Sequence, residues 1–216
     1  MTEPTTRKKT PKGRGPQRHT KQDWIRTALD TLISEGVENV KILVLSAKLE
    51  TARSSFYWHF ENREDLLDTL LEYWQNTNTR AIIESARQPA DTITQAIVNV
   101  YSSWVGCGQF NTRLDFAIRD WARRSGSVRR ALDISDDERV KALEDMFLRY
   151  DYPKSEADVR ARVLYFTQIG YDALDQRESW ETRVSRSRDY LFCISGREPS
   201  DADIKRVHVL NQQDFV

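Results

Sequence analysis

Arg53, Ser54 and Ser55 stand in a row and are followed at once by Phe56, Tyr57, Trp58, His59 and Phe60. At the leading end of a short helix, one guanidinium and two small hydroxyls can reach the donors and acceptors on base edges in a DNA major groove. Basic and hydroxyl groups flanking such a helix can hold phosphates, and Lys41, Tyr57, His59 and Arg63 are of the right types. For His59 a capping or packing role competes with the phosphate contact. Other chemistry is thin along the chain. His59 is far in sequence from His19 and His208, with no cysteine or carboxylate cluster at metal-ligand spacing, so no metal site is expected. There is no G-x-S-x-G, no phosphate-cradling glycine loop, no C-x-x-C and no H-E-x-x-H, which points away from an enzyme; no cofactor is expected. Asp136, Asp137 and Glu138 form a carboxylate run, which reads as a solvated helix face more readily than as a catalytic pair.

The elements that must position these residues are set by apolar spacing. Trp24, Ile25, Ala28, Leu29, Leu32 and Ile33 recur at helical intervals, with Thr20 as N-cap and Gly36 as the stop. Ile42, Leu45 and Leu49 predict a second short helix over 40–49, and residues 53–60 a third. Ile33, Leu45, Leu49, Phe56 and Phe60 can wedge the three together, the dimensions of a helix-turn-helix unit. Asn62 can cap a fourth helix carrying Leu66, Leu67, Leu70, Leu71 and Trp74, running to about residue 86. Further helices are expected at about 91–106, 111–125, 127–150, 155–177 and 180–195, with Pro89, Gly126, Pro153 and Gly196 as breakers. The fold class expected is all-α: a three-helix head over 19–66, a helical body over 67–198, and a tail over 199–216 that could add a short helix and has no assigned role.

Charge is balanced overall but not along the chain. Residues 1–59 hold 11 Lys/Arg against 6 Asp/Glu, and the remainder 22 against 27. Residues 1–18 are basic, contain Pro and Gly, and have no apolar side chain after Met1. They cannot offset their ordering entropy by burial, so a disordered basic arm is expected, suited to nucleic acid or to no partner at all. Residues 92–112 carry no charge but contain polar side chains such as Asn99 and Gln109, costly in hydrocarbon. A buried helix of a soluble, cytoplasmic chain is the expectation, with no membrane contact and with Cys107 and Cys193 as reduced thiols.

The run "ILVLSAKLETARSSFYWHFENREDLLDTLL", preceded by "ISEGVENV", resembles the tetracycline-repressor (TetR) family of bacterial transcription regulators. The resemblance covers about residues 19–70, and "FYWHFENREDLL" fits the family pattern closely. It implies that Arg53, Ser54 and Ser55 face the groove, with Arg53 the best candidate to bridge two acceptors of a guanine. Trp58 would stand near the groove wall, against a competing role packed in the head. Tyr57, His59, Lys41, Arg63 and the residues around Thr20 would hold the backbone of a double-stranded operator. Four positions depart from the family pattern: Glu50 where a turn glycine is common, Lys41 in place of a Ser/Thr cap, and Leu43 and Val44 where polar or basic residues are usual.

For the body the resemblance implies a small-molecule effector and a homodimer. Tyr101, Trp104, Phe110, Phe116, Trp121 and Tyr165 are candidates to line a cavity, with Asn99, Arg113, Asp115 and Gln168 as the polar groups that would orient a ligand. Ordinary core packing is the competing role of each aromatic. Val159, Val163, Phe166, Ile169 and Leu174 form one apolar stripe, and Val184, Leu191, Phe192 and Ile194 another. By resemblance the helices at 155–177 and 180–195 pair with a second copy in a four-helix bundle. One short helix reads few base pairs, so specificity also asks for a second copy about 34 Å away. The function expected is a dimeric DNA-binding regulator, leaning to repression and modulated by a small ligand. A regulator controlled by a protein partner, or a helical enzyme or carrier, are the alternatives.

Overall fold

Thr20 opens the first helix. In the computed structural model its hydroxyl accepts from the Asp23 N–H at 3.2 Å, while the Asp23 carboxylate accepts from the Thr20 N–H at 2.8 Å. This reciprocal cap satisfies two donors that a helix start otherwise strands. The structure describes residues 19–105, 109–174, 176 and 178–213. The basic arm over 1–18 and the Cys107 thiol therefore lie outside the described residues.

Helix α1 (Lys21–Glu35) stops at Gly36, whose φ of 80° suits a residue without Cβ. A turn at Val37–Asn39 leads to α2 (Ile42–Lys48), preceded by Lys41, which offers no oxygen to cap it. Glu50 takes φ 50°, so the next turn keeps a left-handed residue in spite of its side chain. That conformation costs about 1–2 kcal/mol for a residue other than glycine. The third head helix is wound as a 3-10 helix, Arg53–Trp58, rather than as the α-helix the spacing predicts. It is only one or two turns long and has no side-chain cap, so few i→i−4 bonds are available to favour α winding.

Asn62 caps α3 (Arg63–Trp74) by accepting from the Asp65 N–H at 2.9 Å. A π turn at Gln75–Thr79 carries the chain without a break into α4 (Arg80–Arg87). The body continues with α5 (Ile93–Trp104), α6 (Thr112–Ala122), α7 (Gly126–Leu148) and α8 (Lys154–Ala173). The helix expected over 180–195 is broken at Arg186 into α9 (Trp180–Ser185) and α10 (Ser187–Ser195). Residues 199–216 carry a helix, α11 (Asp201–Gln213), whose Val207 is buried in the body core with Ile204 and Leu210 packed against it. The tail is therefore a part of the body. Among the described residues the fold is all-α, without a strand, and no helix is long and apolar enough to cross a membrane.

Two apolar cores hold these helices. The first joins Trp24, Leu45, Phe56, Leu66 and Trp74 to Leu114, Ile118 and Trp121 of α6 and Leu132 of α7. A head boundary at 66/67 thus falls inside α3, and the head is seated on body helices rather than tethered to them. The second core gathers Ile82, Ile97, Leu143, Phe147 and Tyr165 between α4, α5, α7 and α8. Each large side chain removed from water here contributes about 1.5–3 kcal/mol, so the seat of the head is not lightly given up.

Candidate nucleic-acid interface

Phe56 decides what the segment Arg53–Trp58 presents. Its ring has no solvent exposure, meets Trp24 edge-on at 5.3 Å and stacks on Phe60 at 5.2 Å. With Phe56 and Phe60 turned inward, their neighbours turn outward. Arg53 and Ser54 are exposed, Ser55 is half-buried, and Tyr57 and Trp58 are 60% and 84% exposed. An indole that open is not spent on packing the head. Arg53 and Lys41 make no side-chain hydrogen bond or ion pair among the described residues, which leaves both charges available to an anionic partner.

The flanking residues are held in different ways. Thr20 is committed to the α1 cap. His59 is half-buried, and its Nε2–H donates to the His19 carbonyl at 3.0 Å, tying the base of the arm to the interface. Lys21 lies 4.9 Å over the Phe60 ring, another brace on the same corner. Arg63 is turned inward. Its guanidinium donates to the Val40 carbonyl at 2.6 Å and the Val37 carbonyl at 2.9 Å, clamping the turn that aims α2. Arg53, Ser54, Ser55, Tyr57 and Trp58 thus share one short segment at the surface of the head, with His59 tying its end to His19, while Arg63 clamps the turn before α2 from which Lys41 extends.

Beneath the head lies a charged network that sequence reasoning did not assemble. Asp115 is fully buried and accepts from Trp74 Nε1 at 2.8 Å and Arg119 Nε at 2.8 Å, with Arg139 at 3.0 Å. Arg119 grips Asp136 through two nitrogens at 3.0 and 2.8 Å, and the Tyr165 hydroxyl donates to Asp136 at 2.7 Å. Arg139, also fully buried, donates to Tyr165 and to Thr79 and lies 4.9 Å over the Trp74 ring. Two carboxylates and two guanidiniums leave no net charge. Burial alone would push the Asp115 carboxyl up, but Arg139, then Arg119, and the indole N–H hold it below the usual carboxylate range. Burial pushes the Tyr165 phenol up, so it stays a protonated donor. Asp136 is thus not the solvated residue its acidic run suggested, whereas Asp137 and Glu138 are exposed. The i,i+4 pair Asp115/Arg119 and the i,i+3 pair Asp136/Arg139 were the only traces in sequence, and such pairs are common on solvated helices.

The candidate cavity residues separate. Tyr101, Trp104 and Gln168 line a cavity of about 120 Å³ between α5, α8 and α10, to whose wall α9 adds Arg183 and α11 adds Val207. The other candidates lie elsewhere. Trp121 belongs to the core under the head, and Phe110 is buried with Arg139 5.6 Å above its ring. Tyr165 is taken up by the charged network. Asn99 is buried and donates to the Pro89 carbonyl, Phe116 is half-buried, and Arg113 is exposed. Aromatic content located the helices of the body but not which of their faces meet a void.

Comparison with known proteins bears on the head and on the fold separately. Residues 25–70 match the family described as bacterial regulatory proteins, tetR family. Over 48 residues the chain is 42% identical to the tetracycline repressor protein class C of Escherichia coli, a stretch that is 22% of each chain. The match thus spans under a quarter of that curated relative. Across the whole chain the likeness is one of fold. A TetR-family transcriptional regulator from Rhodococcus sp. superposes with a TM-score of 0.57 at 14% identity, over 87% of this chain and 98% of that one. Salmonella enterica GusR superposes with a TM-score of 0.54, also at 14% identity, over 91% of this chain and 95% of that one.

Proposed function

We propose that this chain, whose residues 25–70 match the family described as bacterial regulatory proteins, tetR family, is a homodimeric, sequence-specific DNA-binding repressor of the cytoplasm, relieved by a small molecule bound in its helical body. The observation that carries the reading is the outward set of Arg53, Ser54, Tyr57 and Trp58 on a segment whose core side, Phe56, is locked between Trp24 and Phe60. A rigid short helix with free polar and cationic tips is what groove readout needs, since loosely held side chains lose the entropy that discrimination depends on. Arg53 reads a base edge, and Lys41 and Tyr57 hold phosphates. Arg63 and His59 act one step back, by fixing the turn before α2 and the base of the basic arm. Repression agrees with the name of the Escherichia coli relative.

Relief by a ligand is a population shift. A molecule that prefers a body shape in which two heads are wrongly spaced lowers operator affinity by its differential affinity for that shape. The route runs through the joint, because α6 and α7 both support the head core and carry the charged network. A mobility-shift titration on the DNA upstream of the gene, at two salt concentrations, tests the reading. Arg53→Ala is expected to cost about 1–3 kcal/mol on that DNA and to relax preference at one base pair. Equal affinity of the wild type for that DNA and for a scrambled duplex would overturn the assignment.

A further inference from the structure

The exposed apolar side chains of the head are gathered on one part of it. Among the described residues between 19 and 66, the large ones open to solvent are Leu43, Tyr57 and Trp58, at 62%, 60% and 84%. All three lie on α2 or on the Arg53–Trp58 segment, and none on α1. A single exposed leucine is ordinary, since apolar atoms make up much of any protein surface. This one shares the paired short helices that carry the candidate interface, where the two open rings also stand.

Two anchors fix which way α2 turns Leu43. Leu45 has no solvent exposure and sits in the core that holds Phe56. Lys48 donates to Thr31 Oγ1 at 2.8 Å and pairs with Glu35, which ties another side of α2 to α1. At about 100° per residue, Leu43 stands about 160° round the helix from Leu45 and about 140° from Lys48. It therefore faces away from both the core and α1, in the first turn of α2, close in sequence to the exposed Lys41. A leucine side chain has neither donor nor acceptor, so it cannot read the polar pattern of a base pair. The apolar group that base edges offer in the major groove is the thymine 5-methyl.

We propose that Leu43 packs on a thymine 5-methyl group in the major groove and so selects thymine at one position of each operator half-site. The assignment rests on the DNA-binding reading and adds an apolar determinant on α2 to the polar one at Arg53. It gives a role to a position where the sequence departs from the family pattern.

The test removes the methyl and keeps every hydrogen-bonding group. The wild type selects a duplex from a randomised pool, and the thymines of that duplex are replaced one at a time by deoxyuridine. Anisotropy titration of the full chain is expected to show a loss of about fourfold in affinity at one thymine of each half-site, the factor for uncovering one methyl-sized group. In Leu43→Ala that loss should vanish while penalties at other thymines persist, and the thermal midpoint should stay that of the wild type because the side chain is exposed. In the unmutated complex, a nuclear Overhauser contact between the Leu43 δ-methyls and the same thymine methyl gives the answer without a variant. Tolerance of uracil at every position, or penalties that Leu43→Ala leaves intact throughout, would overturn the proposal. A dimer weakened by Leu43→Ala with the uracil penalties intact would put a second copy on this face, and would overturn it as well. If the pool yields no preferred sequence, the regulator reading falls and this assignment with it; if a sequence is enriched but uracil is tolerated, the assignment of Leu43 alone is lost.

Discussion

Asp115 is a carboxylate without solvent exposure whose oxygens meet two guanidiniums and an indole N–H. Ions taken out of water cost several kcal/mol each, and only a closed set of partners offsets that. Breaking the set from one side should therefore be severe. Asp115→Asn is expected to destabilise the fold by about 3–5 kcal/mol in urea denaturation, since Arg119 and Arg139 would then share Asp136 alone. The pH dependence has a definite sign. The Asp115 carboxyl sits below its ordinary value of 3.8, so its contribution is complete above pH 3.8 and is lost as pH falls through the lower folded value. The wild type should accordingly lose stability below pH 3.8 more steeply than Asp115→Asn. Coincident acid limbs for the two proteins would show that Asp115 is not held as described.

At the scale of elements, the joint between head and body is the π turn Gln75–Thr79, set between α3 and α4 without a break in the helix. Such a turn widens the helix by a residue and re-aims the helix beyond it. Here it places Asn78, fully buried, against the start of α6: its amide donates to the Asn111 carbonyl at 2.9 Å and its carbonyl accepts from the Asn111 N–H at 3.1 Å. Asn111 in turn caps α6 by accepting from the Leu114 N–H at 2.9 Å. Asn78→Ala would strand both backbone groups. A loss of about 1–3 kcal/mol is expected, read as a lowered denaturation midpoint. Hydrogen exchange should quicken first at the start of α6 rather than in α1; uniform quickening would argue that Asn78 serves the fold generally and not this joint.

For the whole molecule, the open question in a single chain is what covers α8 and α10. Val159, Val163 and Phe166 on α8 and Tyr190 and Phe192 on α10 are all 44% exposed or more. Most of them fall within the stripes that the sequence suggested for pairing two copies. Covering such a face with its own symmetry mate is self-complementary by construction, and it sets two heads at a fixed spacing. Val163→Glu is expected to convert a dimer to a monomer in light scattering at micromolar concentration. Operator affinity should fall at least tenfold with it, while the thermal midpoint of the monomer changes little because the site is not in its core. A dimer that survives the substitution would move the interface elsewhere.

The sequence by itself determined the helical class, the Thr20 and Asn62 starts, the Gly36 stop and the corner that carries Arg53, Ser54 and Trp58. These are local matters, fixed by caps, breakers and the inward pull of Phe56 and Phe60 within a few residues of one another. It misjudged the winding of Arg53–Trp58 and the break at Arg186, where short segments leave α and tighter turns close in energy. Only the tertiary structure decided that Arg63 turns inward, that Asp136 joins Asp115 under the head, and that Trp104 rather than Trp121 lines the cavity. Each depends on which of several similar helix faces meet, a choice made by packing among segments far apart in the chain.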